Sequence, residues 1–251
     1  MIFEGLRSLG VRSGGMIIAH SSLKSFGYVE DGAGTVIDAM IDTVGPEGTV
    51  FVPTMTFGAP FHHRDTPSYT GHITEVFRKR EDSIRSHHPT HSIAGIGPAA
   101  ARVLEGHELT TPMGYESPLA RIAREDGLVV LLGVGHTSNS TVHAGLEEAK
   151  APYLTKYRSV TVRDGDGTER VVSCLHPGCS RGFVRLEPIL AHRGLQNRGF
   201  IGDAVVRVLR GRDIIDVTVE AVHADPSFLL CDYDECDFCP RARNIVEQLD
   251  D

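Results

Sequence analysis

Two short apolar runs separated by one amphipathic segment constrain the fold of the first third of the chain. Met16–Ala19 and Thr49–Val52 are each bounded by Gly, Pro, His or Ser residues and predict buried strands. Between them, Thr35–Val44 carries apolar side chains at helical spacing and ends before Gly45 and Pro46. A strand, a helix and a second strand in this order predict a parallel sheet covered by helices.

The rest of the chain continues this alternation. Leu128–Leu132 is the strongest central-strand signal, and it leads directly into the polar run Gly133–His136. Residues 58–91 are rich in His, Pro and polar residues and predict a long surface loop, whereas 213–222 favours neither helix nor strand. Further predicted elements are a strand at 92–96, a hairpin at 158–174, and helices at 2–9, 98–104, 117–124, 184–192, 203–210 and 240–249. No repeat or linker interrupts the pattern, which predicts one domain over 1–251.

Composition and charge exclude several classes of protein. The chain has 25 Lys and Arg against 33 Asp and Glu, a net charge of −8, which argues against nonspecific binding to nucleic acid or an anionic membrane. No stretch approaches the ~20 apolar residues of a membrane span, and the first ten residues lack the basic segment of a signal peptide. Five cysteines do not resemble a secreted disulfide framework, so we expect a reduced, cytoplasmic location.

His143 is the leading candidate for acid–base chemistry. It follows the polar loop after the 128–132 strand and lies on the predicted first turn of a helix. Carboxyl ends of strands line the crevices of open α/β sheets, and an imidazole near its usual pKa suits a general base. Glu147, four residues on, would share its helix face. The alternative is a histidine that only takes part in capping the helix.

Two further loops could admit a ligand. The run His20–Leu23 carries small hydroxyl side chains after the first strand, which permit close approach to backbone amides or merely cap the strand end. The run Arg85–Ser92 has three histidines in five residues and is a candidate phosphate loop or metal site, although adjacent histidines do not naturally converge on one ion. The sequence has no His-Glu-x-x-His, Walker or Gly-x-Gly-x-x-Gly motif and no Gly-x-Ser-x-Gly elbow, which argues against those hydrolases and nucleotide sites.

The C-terminal cysteines are a candidate structural metal site. Cys236 and Cys239 have the Cys-x-x-Cys spacing that chelates zinc through two thiolates, but a structural zinc takes four ligands. Cys174, Cys179, Cys231 or a histidine could complete the set. The alternative is a pair of reduced thiols beside the last helix.

Several motifs in one order carry a resemblance that covers most of the chain. The motifs are HSSL (20–23), TVIDAMIDTVGPEGTVFVPTMTF (35–57), RSHHPTHSIAGIGP (85–98), ESPLARI (116–122) and LLGVGHTSNSTVH (131–143). Together they resemble the aminoglycoside 3-N-acetyltransferase family, and the HSSL and GVGH segments and the C-terminal cysteines resemble its apramycin-acetylating branch. The resemblance implies an α/β (α+β) fold with a mixed central sheet flanked by helices, distinct from the GNAT acetyltransferases.

The resemblance also implies a reaction and a set of residues. The reaction is acetyl transfer from acetyl-CoA to an amine of a small cationic aminoglycoside, an antibiotic-resistance activity. His143 is then the catalytic base, with His176 and Glu147 as further catalytic candidates. The implied cofactor-binding residues are His20, Ser21, Ser22, Leu23, Arg85, Ser86, His88, Ser92, His136 and Asn139. A structural zinc is a separate hypothesis drawn from the cysteine spacing, with Cys179, Cys231, Cys236 and Cys239 as its expected ligands.

The sequence departs from the family pattern at two places. Leu146 stands where relatives carry a carboxylate three residues after the catalytic histidine, with Glu147 one position later. The segment Cys174–Ser180 lacks the expected acidic residues, and His176 is the candidate substitute, although a histidine cannot supply negative charge. Open alternatives are therefore the same chemistry on another amine metabolite, CoA binding without catalysis, and a zinc-dependent hydrolase using the His-rich residues 62–91. The chain is expected to act as a monomer or a homodimer.

Overall fold

The computed structural model describes residues 1–56 and 60–249; residues 57–59, within the predicted 58–91 loop and the 35–57 motif, and residues 250–251 lie outside the described residues. The strands are β1 (Met16–Ser21), β2 (Thr49–Pro53), β3 (Ile84–Arg85), β4 (Ile93–Ile96), β5 (Leu128–Leu132), β6 (Tyr157–Arg163), β7 (Glu169–Leu175), β8 (Gln196–Ile201) and β9 (Ala204–Arg210). The helices are α1 (Ile2–Ser8), α2 (Ala33–Val44), α3 (His72–Arg78), α4 (Ala100–Leu104), α5 (Pro118–Arg124), α6 (Thr141–Glu148), α7 (Leu186–His192), α8 (Gly211–Ala224) and α9 (Cys239–Glu247). Within these ranges no helix has both the length and the apolar character needed to cross a bilayer.

Seven strands form one mixed sheet in the order β3-β4-β2-β1-β5-β9-β8. The central strands β2, β1 and β5 are parallel, and Ile17 of β1 lies opposite both Val50 and Leu128. β4 and β9 pair antiparallel with the two sides of this centre, while β6 and β7 form a separate hairpin. The predicted α/β fold with a mixed sheet flanked by helices is confirmed.

Both faces of the sheet are buried, which explains why its central strands are continuously apolar. Along β1, Ile18 packs into a core cluster shared with α5, α6 and α8, whereas Ile17 packs into a second cluster shared with α1, α2 and α3. The same alternation continues in β5, where Leu131 faces the first cluster and Leu132 the second. Because both faces of the sheet are covered, the strand ends and the loops that follow them are where a site can form.

One prediction of secondary structure is wrong, and others are incomplete. The sequence pattern predicts a helix at 203–210, but these residues form β9, because the β-branched run alternates inward and outward between β5 and β8. The undecided segment 213–222 lies inside α8, and β8 has no counterpart among the predicted elements. The 58–91 region is only partly loop, since it contains α3 and β3.

The packing of α6 on α8 depends on Gly145. A Cβ at this position would lie 2.5 Å from Cβ of Thr218. We expect Gly145→Ala to lower the free energy of unfolding by about 1–3 kcal/mol through overpacking. Gly34→Ala is the matched control, because Gly34 lies in α2 with no atom within 4 Å of an added Cβ, and alanine there should stabilise by about 0.5–1 kcal/mol. Urea unfolding of both variants measures the difference; equal effects at the two positions would contradict the prediction.

Candidate active site

A pocket of about 460 Å³ opens where the parallel strands β1 and β2 and the loop after β5 meet. Their carboxyl ends lie at one edge of the sheet, the usual place for a ligand crevice in an open α/β fold. The hairpin β6–β7 and the start of α6 close its other sides. The lining residues used below are His20, Ser21, Thr70, Thr74, Thr90, His91, Met113, Asn139, His143, Arg158, Cys174 and His176.

His143 lies on the first turn of α6 and lines this pocket, as the sequence predicts for its position. Its ring is buried and packs edge-on against Phe183, with 4.6 Å between the ring centroids. Burial lowers the pKa of His143 to about 4, and a hydrogen bond with the Pro177 carbonyl opposes that shift. Among the described residues no hydrogen-bond partner reaches Nδ1 of His143. The imidazole is therefore neutral near pH 7, and its buried Nδ1 is left without a hydrogen-bond partner among the described residues.

The structure brings His176 to the same pocket. It follows β7, and its Nδ1 accepts a hydrogen bond of 3.1 Å from the Gly178 amide. Its ring stacks on Phe238, with 5.8 Å between the centroids. Burial first, then the charges of Arg158 and Lys156, lower the pKa of His176. A neutral His176 can orient or hydrogen-bond a partner, but it supplies no negative charge to an imidazolium at His143.

Glu147 is not brought to His143, although both lie on α6. Its Oε1 accepts a hydrogen bond of 3.0 Å from the Met113 amide, and its Oε2 accepts one from the Thr111 hydroxyl. Burial raises the pKa of Glu147, and these two hydrogen bonds lower it. The carboxylate thus holds the segment that carries Met113 in place at the pocket wall. Glu147 itself is not among the described residues that line the pocket.

Only the first two residues of the predicted cofactor loop His20–Leu23 line the pocket. His20 and Ser21 line the pocket, and Nε2 of His20 and Oγ of Ser21 are both buried with no hydrogen-bond partner among the described residues. Burial lowers the pKa of His20 to about 4, so its ring is neutral. Ser22 precedes a short 3-10 turn, and Leu23 packs on the core cluster of α2. Buried unpaired polar atoms on a pocket wall are the groups a polar ligand would satisfy.

Arg85 and Ser92 lie behind the pocket wall. The Arg85 guanidinium donates to Ser92 Oγ at 3.0 Å and to the Thr54 carbonyl at 2.7 Å. Ser92 Oγ donates to the same carbonyl at 2.7 Å. These bonds hold the chain after β2 against β4, so the two residues shape the wall and do not line it.

Ser86 and His88 also lie outside the described pocket lining and hold neighbouring segments in place. Ser86 Oγ and Nδ1 of His107 are 2.9 Å apart. Nδ1 of His88 accepts a hydrogen bond of 3.1 Å from the amide of His91. His91 itself lines the pocket, and burial lowers its pKa to about 3. The predicted 85–92 loop therefore reaches the site through Thr90 and His91, which are both missing from the site residues that the sequence predicts.

His136 and Asn139 form the base of the loop between β5 and α6. Nε2 of His136 is 2.8 Å from Oε1 of Gln196, and Nδ1 is 3.2 Å from Nδ2 of Asn139. Oδ1 of Asn139 accepts a hydrogen bond of 3.1 Å from the Thr141 amide at the start of α6. The capping role that the sequence leaves open for His143 thus belongs to Asn139, which also lines the pocket, whereas His136 does not.

Several positions on the pocket wall have no usable sequence signal. Thr70 and Thr74 reach the pocket from the region predicted as loop, and Arg158 reaches it from the first strand of the hairpin. The lining residues, all within the described part of the chain, include no aspartate or glutamate. Arg158 therefore gives the pocket wall a positive charge, and the surrounding histidines are neutral.

The four cysteines predicted as metal ligands converge beside the pocket. The Sγ atoms of Cys179, Cys231, Cys236 and Cys239 all lie within 4.8 Å of one another. Backbone amides of Cys231 and Cys239 donate to Sγ of Cys239 and Cys236 at 3.3 and 3.4 Å. The cluster connects the loop after β7 to the start of α9. Cys174 lines the pocket and lies outside this cluster.

Comparison with known proteins identifies the family. The family model for aminoglycoside 3-N-acetyltransferase matches residues 18–223. Aminoglycoside N(3)-acetyltransferase IV of Salmonella sp is 32% identical over 229 residues, which cover 90% of this chain and 87% of that protein. A mutant of aminoglycoside acetyltransferase AAC(3)-IVa, solved in complex with a gentamicin, has 32% identity and a TM-score of 0.88 over 97% of this chain and 95% of that chain. AAC-IIIb in a binary complex with CoASH shares the fold, with 23% identity and a TM-score of 0.83 over 89% of this chain and 95% of that chain. The chain belongs to the aminoglycoside 3-N-acetyltransferase family of acyltransferases.

Proposed function

We propose that the protein transfers the acetyl group of acetyl-CoA to an amino group of an aminoglycoside. The observation that carries the proposal is His143, a buried, neutral imidazole at the pocket with an unpaired ring nitrogen. In the reaction a nitrogen–carbon bond forms and the carbon–sulfur bond of the thioester breaks. His143 takes the proton that the amine loses and passes it to the sulfur, so coenzyme A leaves as its thiol. The gentamicin complex of one relative and the CoASH complex of another neighbour support the two substrate classes.

The unpaired polar groups beside His143 support acyl transfer. Oγ of Ser21 is a hydroxyl donor with no partner in the described part of the chain, and it lines the same pocket as His143. A donor of this kind would stabilise the negative charge that develops on the thioester oxygen. Neutral His20 next to it adds a second polar group on the wall.

Thiol release from acetyl-CoA tests the proposed reaction. The expected result is release that depends on one or more members of an aminoglycoside panel including apramycin and gentamicin, with the acetylated amine seen by mass spectrometry. The His143→Ala protein serves as the control for chemistry outside the pocket. Acetyl-CoA that binds the protein but releases no thiol with any amine would reject catalysis and favour the CoA-binding alternative.

The lining of the pocket favours a second class of acceptor. It holds Arg158 and no carboxylate among the described lining residues, so polycationic amines gain little electrostatic attraction there. A primary amine with few positive charges is therefore the second candidate acceptor for the same acetyl transfer. Adding singly charged amines to the panel separates the two, because turnover of these alone would replace the aminoglycoside as acceptor.

The cysteine cluster supports a structural zinc as a further part of the proposal. Tetrahedral zinc with Zn–S bonds of about 2.3 Å places its sulfur ligands ~3.8 Å apart. Sγ of Cys179 and Cys231 are 3.8 Å apart, and all four Sγ atoms fall within the 4.8 Å limit noted above. Four thiolates fit a structural site with no open position for chemistry. In this arrangement Cys179 fixes the loop of His176 from outside the pocket.

Metal analysis tests the zinc site. Protein purified without a His tag should contain about one zinc per chain, and Cys236→Ser should lose it. Cys174→Ser is the matched control and should keep it, because this cysteine lies outside the cluster. A chelator should lower the Tm of the wild type because the metal stabilises only the folded chain. Less than about a tenth of an equivalent of zinc in the wild type would reject the site.

The packing and the state of the cysteines support the predicted single domain and the predicted cytoplasmic location. Cys231, Cys236 and Cys239 pack in the core cluster that contains β5 and α8, which supports one acetyltransferase domain over 1–251 with 231–239 as part of it. None of the five cysteines, all within the described residues, is in a disulfide, which is consistent with a reducing cytoplasm.

A further inference from the structure

A second cavity opens beside the active-site pocket, toward the C-terminal segment. It has a volume of about 460 Å³ and lies between the start of β6, the loop after β7 and the start of α9. Arg158, His176 and Gly178 line both this cavity and the pocket of His143, so the two spaces adjoin. We call it the side cavity. A molecule whose amine lies at His143 has room to extend past His176 into it.

Cationic side chains outnumber acidic ones on the walls of the side cavity. The charged residues in its described lining are Lys156, Arg158, Arg181, Arg241, Glu235 and Asp237. None of them forms an ion pair with another described residue. The Arg181 guanidinium lies 4.3 Å from the centroid of the Tyr233 ring, and the Tyr233 hydroxyl donates to Glu235 at 3.2 Å. The other charged groups are three cations and one carboxylate, so the remaining positive charge attracts an anion.

The positive charge lies at the end of the side cavity that adjoins the active site. The His176 amide donates to the Lys156 carbonyl at 2.8 Å, which places these two residues side by side. After burial, the charges of Arg158 and Lys156 are what lower the pKa of His176. The acidic residues and Cys236 of the cysteine cluster lie on the C-terminal segment, at the opposite wall. An anion is therefore attracted most strongly to the region just beyond His176.

Tyr153 adds a buried hydroxyl that lacks a partner. The residue lines the side cavity and is 2% exposed, and its ring packs edge-on against Phe238 with 6.0 Å between the centroids. Among the described residues no hydrogen-bond partner reaches the Tyr153 hydroxyl. Burial raises the pKa of Tyr153, so the phenol is protonated near pH 7 and can donate. An unpaired phenol donor in one cavity with ammonium and guanidinium groups is a donor set that an acidic oxygen satisfies.

We propose that the side cavity binds an acidic group of the acceptor, so that the acceptor is an amine that also carries a carboxylate or a phosphate. Its amine would lie at His143 and its acidic group beyond His176. Lys156 and Arg158 would supply positive charge there, and the Tyr153 hydroxyl would donate a hydrogen bond. The inference rests on the proposed acetyl transfer. It names the chemistry of the second acceptor class, because such a molecule carries little net positive charge.

Thiol release with matched acceptors tests the inference. The probes are ω-amino carboxylates of graded chain length, the ω-amino alcohols of the same lengths, and their phosphate monoesters. The wild type should show a kcat/KM about 10-fold or more higher for the acidic amine of the best length than for its alcohol, because only the acid makes charge-assisted hydrogen bonds. The faster of the carboxylate and the phosphate identifies the acidic group. Equal kcat/KM for acid and alcohol at every length would overturn the inference.

Lys156→Gln tests whether the acidic group lies in the side cavity. The variant should raise KM for the acidic amine by about 10-fold and keep kcat within about 3-fold, because a group remote from the reacting atoms is bound equally in the ground and transition states. The KM of the alcohol should stay unchanged. Arg163→Gln is the matched control, since it removes an exposed cation at the far end of β6, outside both cavities. Equal KM values for the acidic amine in the wild type and Lys156→Gln would contradict the assignment.

Tyr153→Phe tests the hydrogen bond while keeping the ring. It should raise KM for the acidic amine by a few-fold with the alcohol unaffected, because one donor to the acid is lost. Its Tm should be unchanged or higher, because the substitution removes an unpaired buried hydroxyl. A KM for the acidic amine that stays at the wild-type value would remove Tyr153 from the site.

Calorimetry with acetylated products separates this inference from the proposed function. An N-acetyl ω-amino carboxylate needs no catalysis to bind, and it should bind the wild type more tightly than its alcohol counterpart and more tightly than it binds Lys156→Gln. This selectivity without turnover of any amine would support the side-cavity site and reject acetyl transfer. Turnover of amines with no preference for the acid, in rate or in binding, would reject the side-cavity site alone.

Discussion

His143→Ala is expected to lower kcat by about 100-fold or more on the preferred acceptor. The reason is that the amine must lose a proton as it attacks the thioester, and a positioned base contributes about 10²–10⁴-fold. His143 is the neutral imidazole at the pocket with an unpaired ring nitrogen, and its low pKa keeps it unprotonated near pH 7. The measurement is steady-state thiol release at saturating acetyl-CoA, with circular dichroism to confirm that the variant is folded.

Two control variants, at His192 and Glu147, and one test variant, at His176, make the result specific. His192→Ala removes an exposed histidine from the end of α7 and should leave kcat unchanged. Glu147→Gln should keep kcat within about 3-fold, because its carboxylate bonds to the 111–113 segment and not to His143. His176→Gln tests whether the imidazole of His176, which lines the same pocket as His143, positions the reacting groups. An alanine variant at 143 that retains wild-type kcat would remove this residue from the mechanism.

The position of His143 could be predicted because local sequence determines it. An apolar run such as Leu128–Leu132 has few alternatives to a buried strand, and the polar loop after it must then lie at the carboxyl edge of the sheet. Gly133 has a φ of +69°, which only glycine adopts readily, and an added Cβ would lie 2.4 Å from Ser25. The turn toward α6 is therefore encoded within a few residues.

Other features depend on contacts that no local pattern contains. The run in β9 has apolar residues at spacings compatible with a helix or a strand, and pairing with β5 and β8 decides between them. Arg85 shows that predictions about the site are limited in the same way, by contacts between distant parts of the chain. An arginine in a predicted phosphate loop is expected to meet the cofactor, but its donors are taken by carbonyls that come from distant parts of the chain. The hairpin could be predicted from its Asp-Gly turn, but the placement of Arg158 at the pocket could not.

Lowering the pH from 7 to 5 is expected to destabilise the fold by several kcal/mol through buried histidines. Burial lowers the pKa of His20, His107 and His143 to about 4 and that of His91 to about 3. The unfolded chain has histidine pKa values near 6.5, so it binds protons first as the pH falls. The stabilisation is therefore complete above about pH 6.5 and is lost progressively toward about pH 4, on the order of 2 kcal/mol per histidine at pH 5.

The window between pH 7 and 5 separates this effect from that of Glu75, a carboxylate with a lowered pKa. Glu75, whose pKa is lowered to about 2 against the opposing effect of burial by its bonds to Arg78 and Lys79, contributes stability that is lost only below its unfolded pKa, near 4.5. Urea unfolding at pH 7 and 5 measures the histidine effect. His107→Gln should reduce the pH-dependent loss by about 2 kcal/mol, whereas exposed His192→Gln should leave it unchanged. A free energy of unfolding that stays constant between pH 7 and 5 would show that these rings are hydrated and protonate freely, with pKa values near the ordinary 6.5.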